Sequence, residues 1–281
     1  MTVGKQEARG RSGRKLKQTL GRLANTLAPF VVLAVAWELT VRAQVFPTVL
    51  FPSLGDIFGA LVRLGESGLL FEHIGRTLYR LGIGYAAAVV FGTLLGFLMG
   101  RFQVVERFFA PLFTVLLPVP ALAWLPLFIL WFGIGDRPAI ILVFFASSQY
   151  IAFNTWSGIR TMNPVWSLAA KSLNIRGPKL FYKIILPASL PMALAGYRLG
   201  IAQAWRAVVA GEMIAATSRG LGFMIFNSRQ YLQTEVMLAA ILVIAVMGLI
   251  LEKLLFNFLE ARTTMRWGTV ANPDEAATTT A

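Results

Sequence analysis

The chain has 281 residues, of which 57% are apolar, 14% are charged and none is cysteine; 26 Lys and Arg against 13 Asp and Glu give a net charge of +13. Soluble domains run at about 45–50% apolar and about 25% charged, so an ordinary soluble globular fold is excluded. With no Cys and a single histidine, His73, disulfide scaffolds, thiolate metal sites, Cys nucleophiles and any site needing two imidazoles are excluded too.

A helix that crosses a bilayer needs about 20 mostly apolar residues, and six segments qualify as predicted spans. Residues 1–26 precede them as a basic arm with seven Lys and Arg. More than 20 residues stand before the first apolar run, and no small-residue cleavage pattern follows a short core, so the arm does not read as a signal peptide. It is expected to lie near anionic lipid. The first span, Leu27 to Val41, carries Pro29 at its start and Glu38 within it. In the following loop Ser53 and Asp56 form a capping pattern ahead of Ile57, Phe58, Leu61 and Val62, which predicts a short amphipathic helix at the membrane surface. His73, before the second span, reads as a surface residue rather than a proton relay.

The second span, Leu78 to Met99, has Gly92 and Gly96 four residues apart, with Gly100 continuing the series. Such a stripe lets another helix backbone approach closely. The third, Phe108 to Phe132, contains Pro111, Pro118, Pro120 and Pro126, and each proline removes an amide donor and clashes with the preceding turn. A broken helix is expected, lying against protein or a watery cavity because lipid cannot satisfy the freed carbonyls. That irregularity suits a transporter better than a membrane anchor. The fourth span is Ala139 to Ser157.

Residues 160–191 form the most unusual segment, with five basic side chains (Arg160, Lys171, Arg176, Lys179, Lys183) and no acidic one. Asn163 and Pro164 read as the cap and first position of a helix in which Val165, Leu168, Ala169 and Ser172 share a face. Asn174 to Gly177 breaks it. Pro178 is predicted to start a second short helix with Phe181, Ile184 and Ile185 on one face, ending before Pro187. The result is a hairpin shaped to fit a groove on another protein, or else a surface element held on lipid by its charges.

The fifth span, Met192 to Ala216, places Arg198, Trp205 and Glu212 at seven-residue spacing, with Arg206 beside them and Gly196, Gly200, Ala207 and Gly211 on the opposite face. Charges inside a span face the bundle interior or a water path and mark function by default. Arg198 and Glu212 are about 21 Å apart along a helix at 1.5 Å per residue, so each needs another partner, and Glu38 is one candidate. Arg198, Trp205, Arg206, Glu212 and Glu38 are therefore assigned to the translocation pathway, with snorkelling of Arg198 and Glu212 to opposite interfaces as the alternative. Val236 to Phe258 is the sixth span, and residues 268–281 read as a disordered tail. With the N-terminus inside, 17 of the 26 basic residues fall on the inner side and six in outer loops. Both termini are thus expected in the cytoplasm, and topology rather than nucleic acid accounts for the basic excess.

Leu168-Ala169-Ala170, Asn174 and Ile184-Ile185-Leu186-Pro187 resemble in spacing the signature of the membrane subunits of binding-protein-dependent ABC importers, in which Glu-Ala-Ala is followed by Gly and later by Ile-x-Leu-Pro. Leu168 stands where Glu is usual and Asn174 where Gly is usual. Asn tolerates the left-handed conformation that Gly supplies. Residues 118–126, Trp131 to Gly135, and Gly211 to Thr217 with Gly220-Leu221-Gly222 look like the taurine, aliphatic sulfonate and nitrate branch of these permeases. The resemblance covers roughly residues 30 to 267. It implies an all-α, type I importer permease of six spans (27–267) in a bacterial inner membrane, working as a homodimer. Two cytoplasmic ATPases would grip the hairpins at Leu168, Ala169, Ala170, Asn174, Gly177, Ile184, Leu186 and Pro187, and an external solute-binding protein would deliver a small anion. Taurine or an alkanesulfonate is favoured, with nitrate, bicarbonate, aromatic acids and neutral heterocycles open. The chain has no Gly-x-x-x-x-Gly-Lys-Ser/Thr segment, so ATP and magnesium are expected on the partner ATPase and no cofactor, metal or catalytic residue in this chain. An ion-gradient-driven transporter is the alternative, although the two halves show no clear repeat. A membrane enzyme lacks any His, Cys or paired-carboxylate constellation to support it.

Overall fold

A computed structural model of the chain describes residues 28–267 apart from Leu173, Arg176 and Thr217. The basic arm and the C-terminal tail lie outside the described residues. Those described are helical and loop, with no strand among them. Helix α1 covers residues 28–42. It is followed by α2 (Leu54–Glu66), α3 (Leu69–Arg101), α4 (Gln103–Leu116), a 3₁₀ turn at Ala121–Trp124, and α5 (Leu125–Phe132). Then come α6 (Asp136–Arg160), α7 (Pro164–Ser172), α8 (Pro178–Leu180), a π-helical turn (Phe181–Ile185), α9 (Leu186–Ala215), α10 (Leu221–Gln230) and α11 (Thr234–Trp267).

Four helices are long and apolar enough to cross a membrane, and the bent pair formed by α4 with Ala121–Phe132 brings the number to five. Helix α1 has 15 described residues, fewer than the roughly 20 that a full crossing takes.

The packing is centred on α6, whose most apolar stretch is 61% buried against 22–28% for the other three long helices. Glycines make this possible on both sides. On α3, a Cβ at Gly92 would lie 2.8 Å from the Ser148 carbonyl oxygen, and one at Gly96 would lie 2.6 Å from that of Ala152. On α9, a Cβ at Gly200 would come within 2.9 Å of Ile151 Cγ1. The two predicted small-residue stripes thus both pack on one helix, on adjacent faces that meet at Ile151, because only a hydrogen side chain lets the backbones come this close.

The proline-rich third span is broken as expected, its two helical parts meeting at 98°. Pro118 and Pro120 stand at the corner, and Pro126 falls in the first turn of α5, where a missing amide costs nothing. The corner rests on α6 through Trp124 and Phe128, whose rings meet Phe145 at 5.3 and 5.8 Å.

Three boundaries differ from expectation. Helix α3 begins at Leu69 rather than Leu78, so His73 belongs to a helix and not to an exposed loop. The second helix of the hairpin does not stop before Pro187, and the fifth span does not start at Met192. Instead, the Leu186 amide donates to the Phe181 carbonyl, a π-type bond, and the chain runs on into α9 with Pro187 in its first turn. A π turn absorbs the register change, so the proline introduces the helix instead of ending it.

Candidate functional site

Arg101, Arg160 and Leu186 lie at one end of the bundle, the hairpin end. Asp136, Ala215 and the start of α10 lie at the other.

At the hairpin end, Asn163 caps α7, its Oδ1 accepting from the Val165 amide at 2.9 Å. Helix α7 is closed by a bond from the Ile175 amide to the Ala170 carbonyl at 2.9 Å. Asn174 sits at φ 55° and Gly177 at φ 60°, two left-handed residues that reverse the chain. The return limb is pinned to α3 by an edge-on contact of Phe181 with Phe97, centroids 5.5 Å apart. The hairpin shows its apolar side outward: Val165, Trp166 and Leu168 are each at least half exposed, whereas Ala170 is buried. Of the other residues assigned to coupling, Ala169, Asn174 and Gly177 are exposed, and Ile184, Leu186 and Pro187 are half-buried at the root of α9. Arg160, just before the hairpin, is tied to Glu106 of α4 at 3.0 Å.

At the other end, polar groups are turned inward. Glu212 is 0% and Arg80 1% exposed, and the Arg80 guanidinium donates from Nη1 to Glu212 Oε1 at 2.6 Å. The same guanidinium reaches Asp136, at the start of α6, through Nε at 2.8 Å and Nη2 at 2.6 Å. Glu212 Oε2 accepts from Thr77 Oγ1 and from the Gly222 amide, both at 2.9 Å. Thr77 Oγ1 accepts in turn from the Leu221 amide at 2.9 Å, and His73 Nδ1 lies 3.0 Å from the Gly220 amide. Burying a charge is strongly unfavourable unless it is paired and its hydrogen-bonding capacity met. Here one Arg and two carboxylates meet that demand for each other and fasten the loop after α9 to α3 and α6. Gly220 is required at that loop: its φ is 148°, and a Cβ would fall 2.5 Å from both Arg80 Nη1 and Glu212 Cδ.

The candidate partnership of Glu38 with the charges of the fifth span is corrected: Arg198 reaches Glu252 instead, at 3.6 Å. Glu212 pairs with Arg80, whereas Glu38 lies at the end of α1, bonded to Arg42 at 3.5 Å and to the Leu54 amide at 3.4 Å. His73 is likewise half-buried and bonded rather than a free surface residue. Arg80 escaped assignment although a lone Arg between apolar helical turns was the available signal. Its pairing with Glu212, 132 positions away, has no trace in local spacing.

The other residues assigned from sequence to a pathway lie where α9 faces α11. Trp205 and Arg206 line an open cavity of about 280 Å³ together with Ile201, Ile244, Gly248 and Glu252. The Trp205 ring is seated on Gly248, and Arg198 lies 3.6 Å from Glu252. Arg206 is exposed. Glu212 and Glu38 are not part of this cavity.

A family profile described as "Binding-protein-dependent transport system inner membrane component" matches residues 88–264. The taurine transport system permease protein TauC of Escherichia coli (strain K12) is 35% identical over 243 residues, covering 85% of this chain and 86% of TauC. A putative aliphatic sulfonates transport permease protein, SsuC of Bacillus subtilis (strain 168), is 32% identical over 262 residues, covering 93% and 92% of the two chains. In three dimensions the fold resembles a chain of the MetNI methionine ABC transporter solved in inward facing conformations. That match has a TM-score of 0.59 at 17% identity and covers 69% of this chain and 95% of the other.

Proposed function

This chain belongs to the family of binding-protein-dependent transport system inner membrane components, and on that footing we propose that it moves a small sulfonate, taurine or an alkanesulfonate, into the cytoplasm. It is a multi-pass inner-membrane permease of the ABC importer class, a transport subunit rather than an enzyme. The observation that best supports coupling to an external motor is the hairpin, whose half-exposed Val165, Trp166 and Leu168 have no apolar cover of their own. A cytoplasmic ATPase burying that edge would bind ATP and magnesium and drive the stroke, two ATPases working on two copies of this chain. Because the return limb runs through the π turn straight into α9, a push on α7 reaches the helix that carries Arg198, Trp205 and Arg206. A solute-binding protein would deliver substrate at the opposite end, so the termini and the hairpin face the cytoplasm. The exposed Arg206, doubled in a dimer, supplies positive potential for an anion.

The test is reconstitution of the chain with its ATPase and binding protein in proteoliposomes. Taurine or alkanesulfonate uptake is expected only with ATP inside and binding protein outside. Uptake that persists without the ATPase and follows an ion gradient would overturn the proposal. Preferential uptake of nitrate, bicarbonate or an aromatic acid would overturn the substrate assignment alone. Arg206→Ala is expected to lower uptake at least tenfold, and unchanged uptake removes Arg206 from the pathway.

A further inference from the structure

A second cavity, of about 510 Å³, opens at the hairpin end between α3 and the return limb. Its wall is apolar along α3, at Leu94, Phe97 and Leu98, and across from it at Phe181 and Leu186. Its rim is Arg101, the last residue of α3, beside Phe102, Tyr182 and Gly177. From Leu94 to Arg101 is seven residues, about 10 Å along a helix. The cavity therefore offers a cation at its mouth and roughly two helical turns of hydrocarbon surface leading away from it. Arg101 is exposed and stacks over the Phe102 ring at 5.3 Å, and among the described residues it makes no ion pair. A cation of this kind, standing beside lipid-depth apolar surface, is complementary to a molecule with an anionic head and an apolar tail. The transported solute is excluded by the wall, since a small hydrophilic anion gains nothing from five apolar side chains.

We propose that this cavity binds an anionic phospholipid of the inner leaflet, its phosphate on Arg101 and an acyl chain laid along Leu98 and Leu94 toward the membrane centre. Basic pockets between helices on the cytoplasmic side are suited to anionic headgroups. The placement in that leaflet rests on the topology given under Proposed function. Because Phe181, Tyr182 and Gly177 belong to the hairpin, the bound lipid braces the hairpin against α3 and makes the coupling stroke responsive to lipid charge.

The test is native mass spectrometry of the full-length chain, stripped of lipid and reloaded with phosphatidylglycerol or phosphatidylcholine. The expected result is at least tenfold preference for phosphatidylglycerol, lost in Arg101→Gln and retained in Arg101→Lys. Equal retention of the two lipids by the unmodified chain, or unchanged preference in Arg101→Gln, overturns the site. Displacement of the lipid by millimolar taurine would also overturn it, because the cavity would then belong to the pathway. Burial of Arg101 against a second copy, seen as cross-linking through Arg101→Cys in an otherwise cysteine-free chain, would reassign the cavity to a dimer interface and overturn the lipid. These readouts need no ATPase and no transport, so they stand or fall separately from the importer assignment. In proteoliposomes of phosphatidylcholine alone, substrate-stimulated ATP hydrolysis is expected to drop several-fold relative to mixed anionic bilayers, and Arg101→Gln to be indifferent to the change.

Discussion

At the cluster end, Glu212, Arg80, Asp136 and Thr77 spend their hydrogen bonds on one another and on the amides of Leu221 and Gly222. At the hairpin end, Val165, Trp166 and Leu168 leave their apolar surface uncovered, and the turn is held by two left-handed residues. The first arrangement is satisfied within the chain; the second leaves surface for another molecule. A subunit that passes a mechanical signal needs both, since a displacement of α9 at the hairpin carries α3 and α6 with it at the far end only if the three are fastened together there.

Breaking the fastened end is expected to have the largest effect. Glu212→Leu leaves the Arg80 charge with only Asp136 and should cost about 3–5 kcal/mol, whereas adding Arg80→Met should recover most of it. Thermal unfolding of the detergent-purified single and double variants measures both, and equal loss in the two would show that the pair is not the unit of stability. Next comes Gly220→Ala, which combines a Gly-only backbone angle with a Cβ on Arg80 and Glu212. A loss of about 1–3 kcal/mol is expected from the conformational strain alone. At the other end the pattern should invert. Trp166→Ala is expected to leave the unfolding midpoint within the scatter of surface substitutions, about 0.5 kcal/mol. It should nonetheless weaken ATPase binding about tenfold, or about 1.4 kcal/mol, as read by titration of the purified ATPase onto the permease. A lowered midpoint with unchanged ATPase affinity would erase the contrast between the ends.

The smallest effect concerns α2, where Ser53 and Asp56 cap each other as the sequence pattern predicted. Hydrogen bonds from the Ser53 side chain and amide hold the Asp56 carboxyl below the usual carboxylate range. A lowered folded value means that the cap stabilises at neutral pH and is lost as pH falls through that value. Hydrogen exchange at residues 54–58 should therefore quicken only in acid, relative to its intrinsic rate, and Asp56→Asn should abolish the difference.

Local pattern carried much of this fold. The capping box, the broken third span, the Asn163 cap and the left-handed Asn174 all depend on neighbours within a few positions, so the residues themselves announce them. The glycine stripes announced close packing but not the partner, which proved to be α6 for both. Pro187 misled because a proline ends helices in most settings, and the π turn that accommodates it depends on a bond to Phe181 that the sequence does not mark. Glu212 was legible as an expensive charge that needs a partner, yet the identity of that partner, Arg80, was not.

By itself the sequence determined that the chain is a helical, multi-pass membrane protein and roughly where its long apolar helices run, because hydropathy is a sum over local composition. It also determined where the hairpin turns, since turn chemistry is local. Only the tertiary structure decided what the charges do. Arg80 and Glu212 meet because α3 and α9 both pack on α6, at a depth set by glycine contacts along the two stripes, and no spacing within either helix encodes that meeting.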